Sequence, residues 1–216
     1  MSEKRLLVTQ KFEFTYWWER FESYYAPHFD RIEVDLISNE DVDGQYWRQH
    51  HQRVTGKLGS WLKEYDLVMF ADCDEFVVPN PERYKDLSDY LDGWKYDIAH
   101  TFGQGVMEMP DDDPFDHSLL VTQQRKYWYR DRNYDKPIIT RTPVKYRYGF
   151  HKCDTRVSHP DHDLILFHLR DADFINLDKY CPQRNPRNFR NIPNIMSYEQ
   201  RLAICKPIPE KYIGLI

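Results

Sequence analysis

The run Phe70-Ala71-Asp72-Cys73-Asp74-Glu75-Phe76 sets three carboxylates within four positions, directly after an apolar stretch. Like charges this close repel, so such a group calls for a cation or a specific partner. In an extended segment residues two apart point the same way, so Asp72 and Asp74 would aim at one metal ion. Oxygen ligands with no Cys pair nearby favour Mg²⁺ or Mn²⁺ over zinc. The competing structural reading is a solvated acidic turn, or an Asp capping the next helix. Arg53 and Lys57 are one helical turn apart and share a face. Aimed at the edge of a sheet they could hold a base, ribose or diphosphate; otherwise they form a solvated face pairing with acids such as Glu64. His50-His51 is a poor metal pair, because adjacent helix positions point apart. Asp161-His162-Asp163 reads as a polar turn. Trp128, Tyr127 and Tyr129 could stack on the C–H faces of sugar rings, whereas Trp17, Trp18 and Trp61 read as core or helix packing.

The elements that must position these groups alternate. Lys4–Phe12 reads as a strand, Tyr16–Tyr25 as a short amphipathic helix stopped by Pro27, and Arg31–Ile37 as a half-buried strand. Residues Ser38–Gly44 form a polar loop, Gln45–Tyr65 a long helix interrupted by Gly56 and Gly59, and Asp66–Ala71 a buried strand. Pro81–Trp94 reads as a further helix. This β-α-β-α-β-α order predicts a parallel, Rossmann-like sheet, whose ligands bind at the carboxyl ends of its strands. The acidic cluster falls at such an end. Beyond it, Tyr96–Thr101 reads as a strand and Gly103–Asp116 as a long loop of the kind that often carries function. Short strands are expected within Leu119–Tyr129 and Lys136–Phe150, and a last clear one at Leu164–Leu169. The stretch 181–216, rich in proline early on, reads as an irregular tail with a short helix near Ser197–Ile204.

Composition narrows the field. The 216 residues suit one α/β domain, with a nucleotide-binding half at about 1–100 and an acceptor-side half at about 101–180. With 41% hydrophobic and 30% charged residues the chain should fold. A net charge of -5 argues against nucleic acid as the main partner. No apolar run approaches the ~20 residues of a spanning helix, and no signal peptide is evident, so the expectation is a soluble, cytoplasmic chain, itself or as part of a larger protein. The four cysteines have no CxxC spacing and read as free thiols.

The segment Asp72-Cys73-Asp74-Glu75-Phe76 resembles the DxD motif of GT-A-fold glycosyltransferases, in the DxDEF form of family 2-like and family 92-like members. Lys136-Pro137-Ile138-Ile139, Gly149-Phe150-His151 and Phe167-His168-Leu169-Arg170, followed by Phe174 and Lys179, are similar to later blocks of those sequences and stand in the same order. The resemblance runs from about residue 45 to 180 and extends to the small virus-encoded members that decorate capsid proteins. It implies a single GT-A domain with a central, mostly parallel mixed sheet flanked by helices. It also implies transfer of a sugar from a nucleotide donor, a UDP-sugar foremost, to a hydroxyl of a glycan or glycoprotein. Asp74 would ligate the Mn²⁺ or Mg²⁺ ion bridging the donor phosphates, Asp72 would reach the ribose or a metal-bound water, and His168 would be a third ligand. Leu169 and Asp171-Ala172 depart from the Tyr and Ser common in relatives. Thr9, Gln10 and Lys11, ending the first strand, would contact the nucleotide. An inverting reaction needs a base for the acceptor hydroxyl; Asp154 suits the position, with Asp135, Asp111, Asp112 and Asp113 as competitors, and His151 would touch acceptor or diphosphate. Two other functions fit a DxD after an apolar strand. One is a phosphatase or phosphotransferase of the haloacid dehalogenase type, which wants Thr or Val where this chain has Phe76. The other is a non-catalytic sugar- or nucleotide-binding module.

Overall fold

The structure, a computed structural model, describes residues 3–12, 16–37, 49–155, 161–173 and 197–216. The expected loop at 38–44, the start of the helix at 45–48 and most of the tail, with Phe174, Lys179 and Cys181, lie outside the described residues. The fold is mixed α/β, built on two five-stranded mixed sheets rather than the single, mostly parallel sheet expected.

The first sheet contains the predicted parallel core. Its strands are β1 (Arg5–Phe12), β2 (Arg31–Ile37), β3 (Leu67–Phe70), β5 (Ile98–Ala99) and β8 (Ile139–Thr140), in the order β2-β1-β3-β8-β5. β1 runs parallel to both β2 and β3, while β8 is antiparallel to β3 and β5. Leu6, Leu7, Val8 and the whole of β3 are buried, which is why these short apolar runs form the centre. The helices of this half are α1 (Trp18–Tyr25), α2 (His50–Trp61) and α3 (Leu87–Gly93). α2 ends at Trp61 rather than Tyr65. α3 starts six residues later than Pro81, because the Asp86 side chain accepts the Asp89 amide and caps the helix there.

The second sheet holds the corrections. Its strands are β4 (Glu75–Pro79), β6 (Phe102–Met107), β7 (Tyr127–Arg130), β9 (Leu164–His168) and β10 (Cys205–Pro207), in the order β10-β7-β6-β9-β4. β6 occupies the centre of this sheet, where the sequence suggested a loop from Gly103. Its two glycines are there because other chain packs on them. A Cβ on Gly103 would sit 2.5 Å from the Asp131 carbonyl oxygen, and one on Gly105 would sit 2.3 Å from the Tyr129 ring. β4 follows the acidic cluster at once and is an edge strand. α1 covers that edge: the Tyr25 hydroxyl accepts the Val77 amide and donates to the Glu75 carbonyl, and the Tyr24 hydroxyl donates to the Val77 carbonyl. The chain's end is also more regular than expected. After α4 (Val121–Gln124) and α5 (Tyr198–Ile204), β10 pairs with β7, and Tyr212 and Ile216 are buried.

One hydrophobic cluster runs through both sheets, from Leu7 and Phe70 to Phe76, Val106 and Leu166. Cys73, Cys153 and Cys205 are free thiols. Among the described residues no helix is long and apolar enough to cross a membrane.

Candidate functional site

The acidic cluster lies where the chain leaves β3 of the first sheet for β4 of the second. The link is a turn closed by the Glu75 amide donating to the Asp72 carbonyl at 2.9 Å. The chain is therefore not extended here, and the alternation that would aim Asp72 and Asp74 at one point does not apply. The two carboxylates have different surroundings.

Asp72 stands beside the end of β1. Its Oδ1 accepts the Gln10 side-chain amide at 2.7 Å, and its Oδ2 lies 3.7 Å from Lys136 Nζ. Lys136 is buried, donates to Glu75, itself buried, and lies 4.8 Å from the centre of the Tyr134 ring. Burial pushes the Glu75 carboxyl up, to about 7, against the opposing pull of Lys136. Burial also opposes the charge on Lys136, but Glu75 and Asp72 outweigh it and hold the ammonium protonated. One fixed cation thus sits among three carboxylates. Sequence reasoning quoted Lys136 without giving it this role; the signal was a Lys beside the buried Ile138-Ile139 run.

Asp74 faces the other sheet. Its Oδ2 lies 3.4 Å from His168 Nε2, and its carbonyl accepts the Leu169 amide at 2.8 Å, which ties the turn to the end of β9. The buried His168 ring stacks on Tyr134, centres 3.8 Å apart, and its Nδ1 has no hydrogen-bond partner among the described residues. The expected set of Asp72, Asp74 and His168 is therefore brought together only as the pair Asp74–His168. Among the described residues no group of three His, Cys, Asp or Glu side chains converges as metal ligands. Arg170 follows on the same strand end, its charge held by Asp171 and by the nearby Tyr134 against the cost of burial.

A small cavity opens between Asp72 and the segment 148–150, lined by Gln10, His50, His51, Asp72 and Tyr148–Phe150. Two buried atoms of its lining residues, Gln10 Oε1 and His50 Nε2, lack hydrogen-bond partners among the described residues. His50 Nδ1 is held 2.7 Å from Asp35, which pairs across the sheet with Gln10 and also accepts both Nε and Nη2 of Arg53. Arg53 is committed to Asp35, near the end of β2, while Lys57 is exposed with its ammonium 5.7 Å from the Trp61 ring. Thr9 is enclosed in the core beside Cys73, and Lys11 lies over the Trp18 ring.

The wall at 148–150 is held in an unusual backbone. Gly149 and Phe150 both have positive φ, 66° and 59°. A non-glycine residue in this region costs on the order of 1 kcal/mol or more, and Phe150 is held there by stacking on Phe70 with ring centres 3.5 Å apart. The turn presents His151, whose Nδ1 donates to the Asn133 carbonyl. Burial and the nearby Lys136 lower its pKa, so the ring is neutral near pH 7 with Nε2 as an acceptor. Asp154 is exposed and accepts the Lys145 amide within its own hairpin, away from the cluster. Asp135 binds Arg130 and the Gly103 amide; Asp112 binds the Met109 amide beside Arg125. None of these other Asp candidates joins the cluster.

No protein-family model matches the chain, and no curated protein matches its sequence.

Proposed function

We propose that this chain is a metal-dependent glycosyltransferase of GT-A type that takes a nucleotide-sugar, a UDP-sugar foremost, as donor and a glycan or glycoprotein hydroxyl as acceptor. The observation that carries the reading is the DxD turn itself. It lies at the carboxyl edge of the parallel strands β1 and β3, with Asp72 fixed by Gln10 and Asp74 set against a buried histidine from the second sheet. A haloacid dehalogenase-type reading wants Thr or Val two residues after the second Asp, where this chain has Phe76, fully buried in β4.

The residues fit a hard divalent ion. Asp74 and His168 offer an oxygen and a nitrogen side by side, and Mg²⁺ or Mn²⁺ commonly takes one or two carboxylates and completes its shell from phosphates and water. When bound, the ion supplies charge stabilisation to the departing nucleoside diphosphate. The chain's own residues do the rest. Gln10 and Lys136 orient Asp72 for the ribose. Beside Asp72, Gln10 Oε1 and His50 Nε2 have no hydrogen-bond partner among the described residues and line a cavity of about 20 Å³, room for a water that could bridge to the ribose. Arg170 places a fixed positive charge by the strand end, and neutral His151, next in chain to the wall at 148–150, offers Nε2 to take the acceptor's proton.

Thermal unfolding with UDP, GDP and ADP, each with and without Mn²⁺, tests the reading on wild type and Asp74→Ala. A ligand at a hundredfold excess over Kd stabilises by about 2.7 kcal/mol. We expect a Mn²⁺-dependent rise with one nucleotide that is absent in Asp74→Ala. A folded wild type that responds to none of the three overturns the donor site.

A further inference from the structure

A second cleft, lined by none of Asp72, Asp74 and Glu75, is larger than the cavity beside Asp72. It has a volume of about 780 Å³, within the range of small-ligand sites. It lies on the second sheet, and strand register shows on which face. Gln104, Phe167 and Arg130 are register partners on one face, whereas Gly105, His168 and Tyr129 share the other. Phe102, Gln104, Trp128, Arg130 and Lys206, on the face opposite His168, line the cleft together with Tyr129 of the other face. Neither Asp74 nor His168 is among its lining residues.

The cleft joins rigid aromatic surface to positive charge. Trp128 is packed from behind by Phe167 and Tyr212, with ring centres 5.5 and 5.7 Å away. The Arg130 guanidinium lies 3.8 Å from the centre of the Phe102 ring and is committed to Asp135 and the Gly103 carbonyl. That pairing uses the one carboxylate lining the cleft. Arg132 and Lys206, also lining it, make no ion pair with a described residue. A chain whose net charge is -5 thus carries a locally positive cleft. The aromatic and Ile204 surfaces suit the C–H face of a ring, Gln104 and His162 suit hydroxyl groups, and the two unpaired cations suit an anionic substituent. A simple inorganic anion would leave the aromatic surface unused, and an apolar ligand would strand the cations.

We infer that this cleft is a binding site for an acidic saccharide, a sugar chain bearing carboxylate or sulfate groups, separate from the donor site. The inference does not depend on the transferase reading.

Calorimetric titration of the full chain with trigalacturonate, with a sulfated heparin tetrasaccharide and with neutral maltotriose, in the absence of nucleotide and metal, tests it. One of the two acidic probes should bind, more weakly as salt rises, and maltotriose at least about tenfold more weakly. The Arg132→Glu/Lys206→Glu variant alters exposed side chains, so it should keep the wild-type melting temperature and lose binding by about tenfold or more. Trp128→Ala should also lose binding, and Asp74→Ala should keep it. Failure of both acidic probes, equal binding of maltotriose, or unchanged binding by the folded Arg132→Glu/Lys206→Glu variant overturns the proposal. Loss of binding in Asp74→Ala would put the saccharide at the donor site instead and overturns it equally.

Discussion

Lys136 decides the electrostatics of the acidic turn. A bare DxDE cluster reads as a demand for an external cation, yet a buried ammonium already answers part of that demand at Asp72 and Glu75. Asp74 lies instead beside His168, so the two carboxylates of the motif are held by different partners, Lys136 and Gln10 for one and the end of β9 for the other. Removing one partner of a buried ion pair strands the other and typically costs about 3–5 kcal/mol. Lys136→Met should therefore lose about that much in urea unfolding at pH 8, and the double variant Lys136→Met/Glu75→Leu should recover most of it. The pH dependence has a defined sign. Without Lys136 the main opponent of burial is gone, leaving the Asp72 amide at 3.2 Å, so the folded-state pKa of Glu75 moves further above its ordinary value of 4.5. Stability from a raised carboxyl pKa is fully present below the unfolded value and is lost as pH rises through the folded one. Lys136→Met should thus be closest to wild type near pH 4 and fall away toward pH 8. A loss independent of pH, or no larger than the ~0.5 kcal/mol of a surface substitution, would show that Lys136 does not serve as this counter-charge.

Among the elements, β6 shows how far the sequence could be read. The parallel strands β1, β2 and β3 were legible because each is a short apolar or alternating run with clear ends, and the DxD cluster was legible because charge density needs no fold to be noticed. The parallel pairing of β1 with β2 and β3 followed from the same alternation. β6 was not legible, because Gly103 and Gly105 lower strand propensity and mimic a loop. Their reason lies in residues distant in sequence: Tyr134 and Tyr129 pack where their side chains would be. β4 was hidden behind the acidic residues that precede it, and the Asp74–His168 approach depends on two strands far apart in sequence meeting in register. Gly103 carries a consequence for the site. A Cβ there meets backbone, the Asp131 oxygen and the Tyr134 carbonyl carbon, and cannot be relieved by a side-chain rotation. Gly103→Ala should cost about 1–3 kcal/mol by overpacking and lift Tyr134 from the His168 ring, seen as a shift of the His168 imidazole resonances. Gly59→Ala, with nothing within 4 Å of its Cβ, is the control and should be neutral or stabilising by up to about 1 kcal/mol. Equal effects at the two glycines would remove the packing explanation of β6.

For the molecule as a whole, the candidate site sits on the seam between the two sheets, and the chain crosses that seam repeatedly. It passes from β3 to β4 through the acidic turn, from β5 to β6 through His100-Thr101, and from β7 back to β8 through the segment bearing Tyr134 and Lys136. These crossings are tied to one another: the Thr101 amide donates to the Lys136 carbonyl, the Lys136 amide donates to the Thr101 hydroxyl, and Lys136 Nζ reaches Glu75. A single apolar cluster spans both sheets. Apart from a small cluster of Met107, Met109 and Cys205 on the second sheet, the two sheets share this core, and opening one exposes apolar surface of the other. This predicts one cooperative unit. In native-state hydrogen exchange at rising denaturant, the amides of Leu7 in β1 and Leu166 in β9, both fully buried, should converge on the same opening free energy, as amides released by one global transition do. If Leu166 exchanges through an opening markedly cheaper than that of Leu7, the second sheet comes apart first. His168 would then leave Asp74 while β1, β3 and Asp72 stay folded. The seam would in that case be a joint that assembles the site on demand, and the Mn²⁺-dependent rise in melting temperature would have to be accompanied by stronger protection in β9 than in β1.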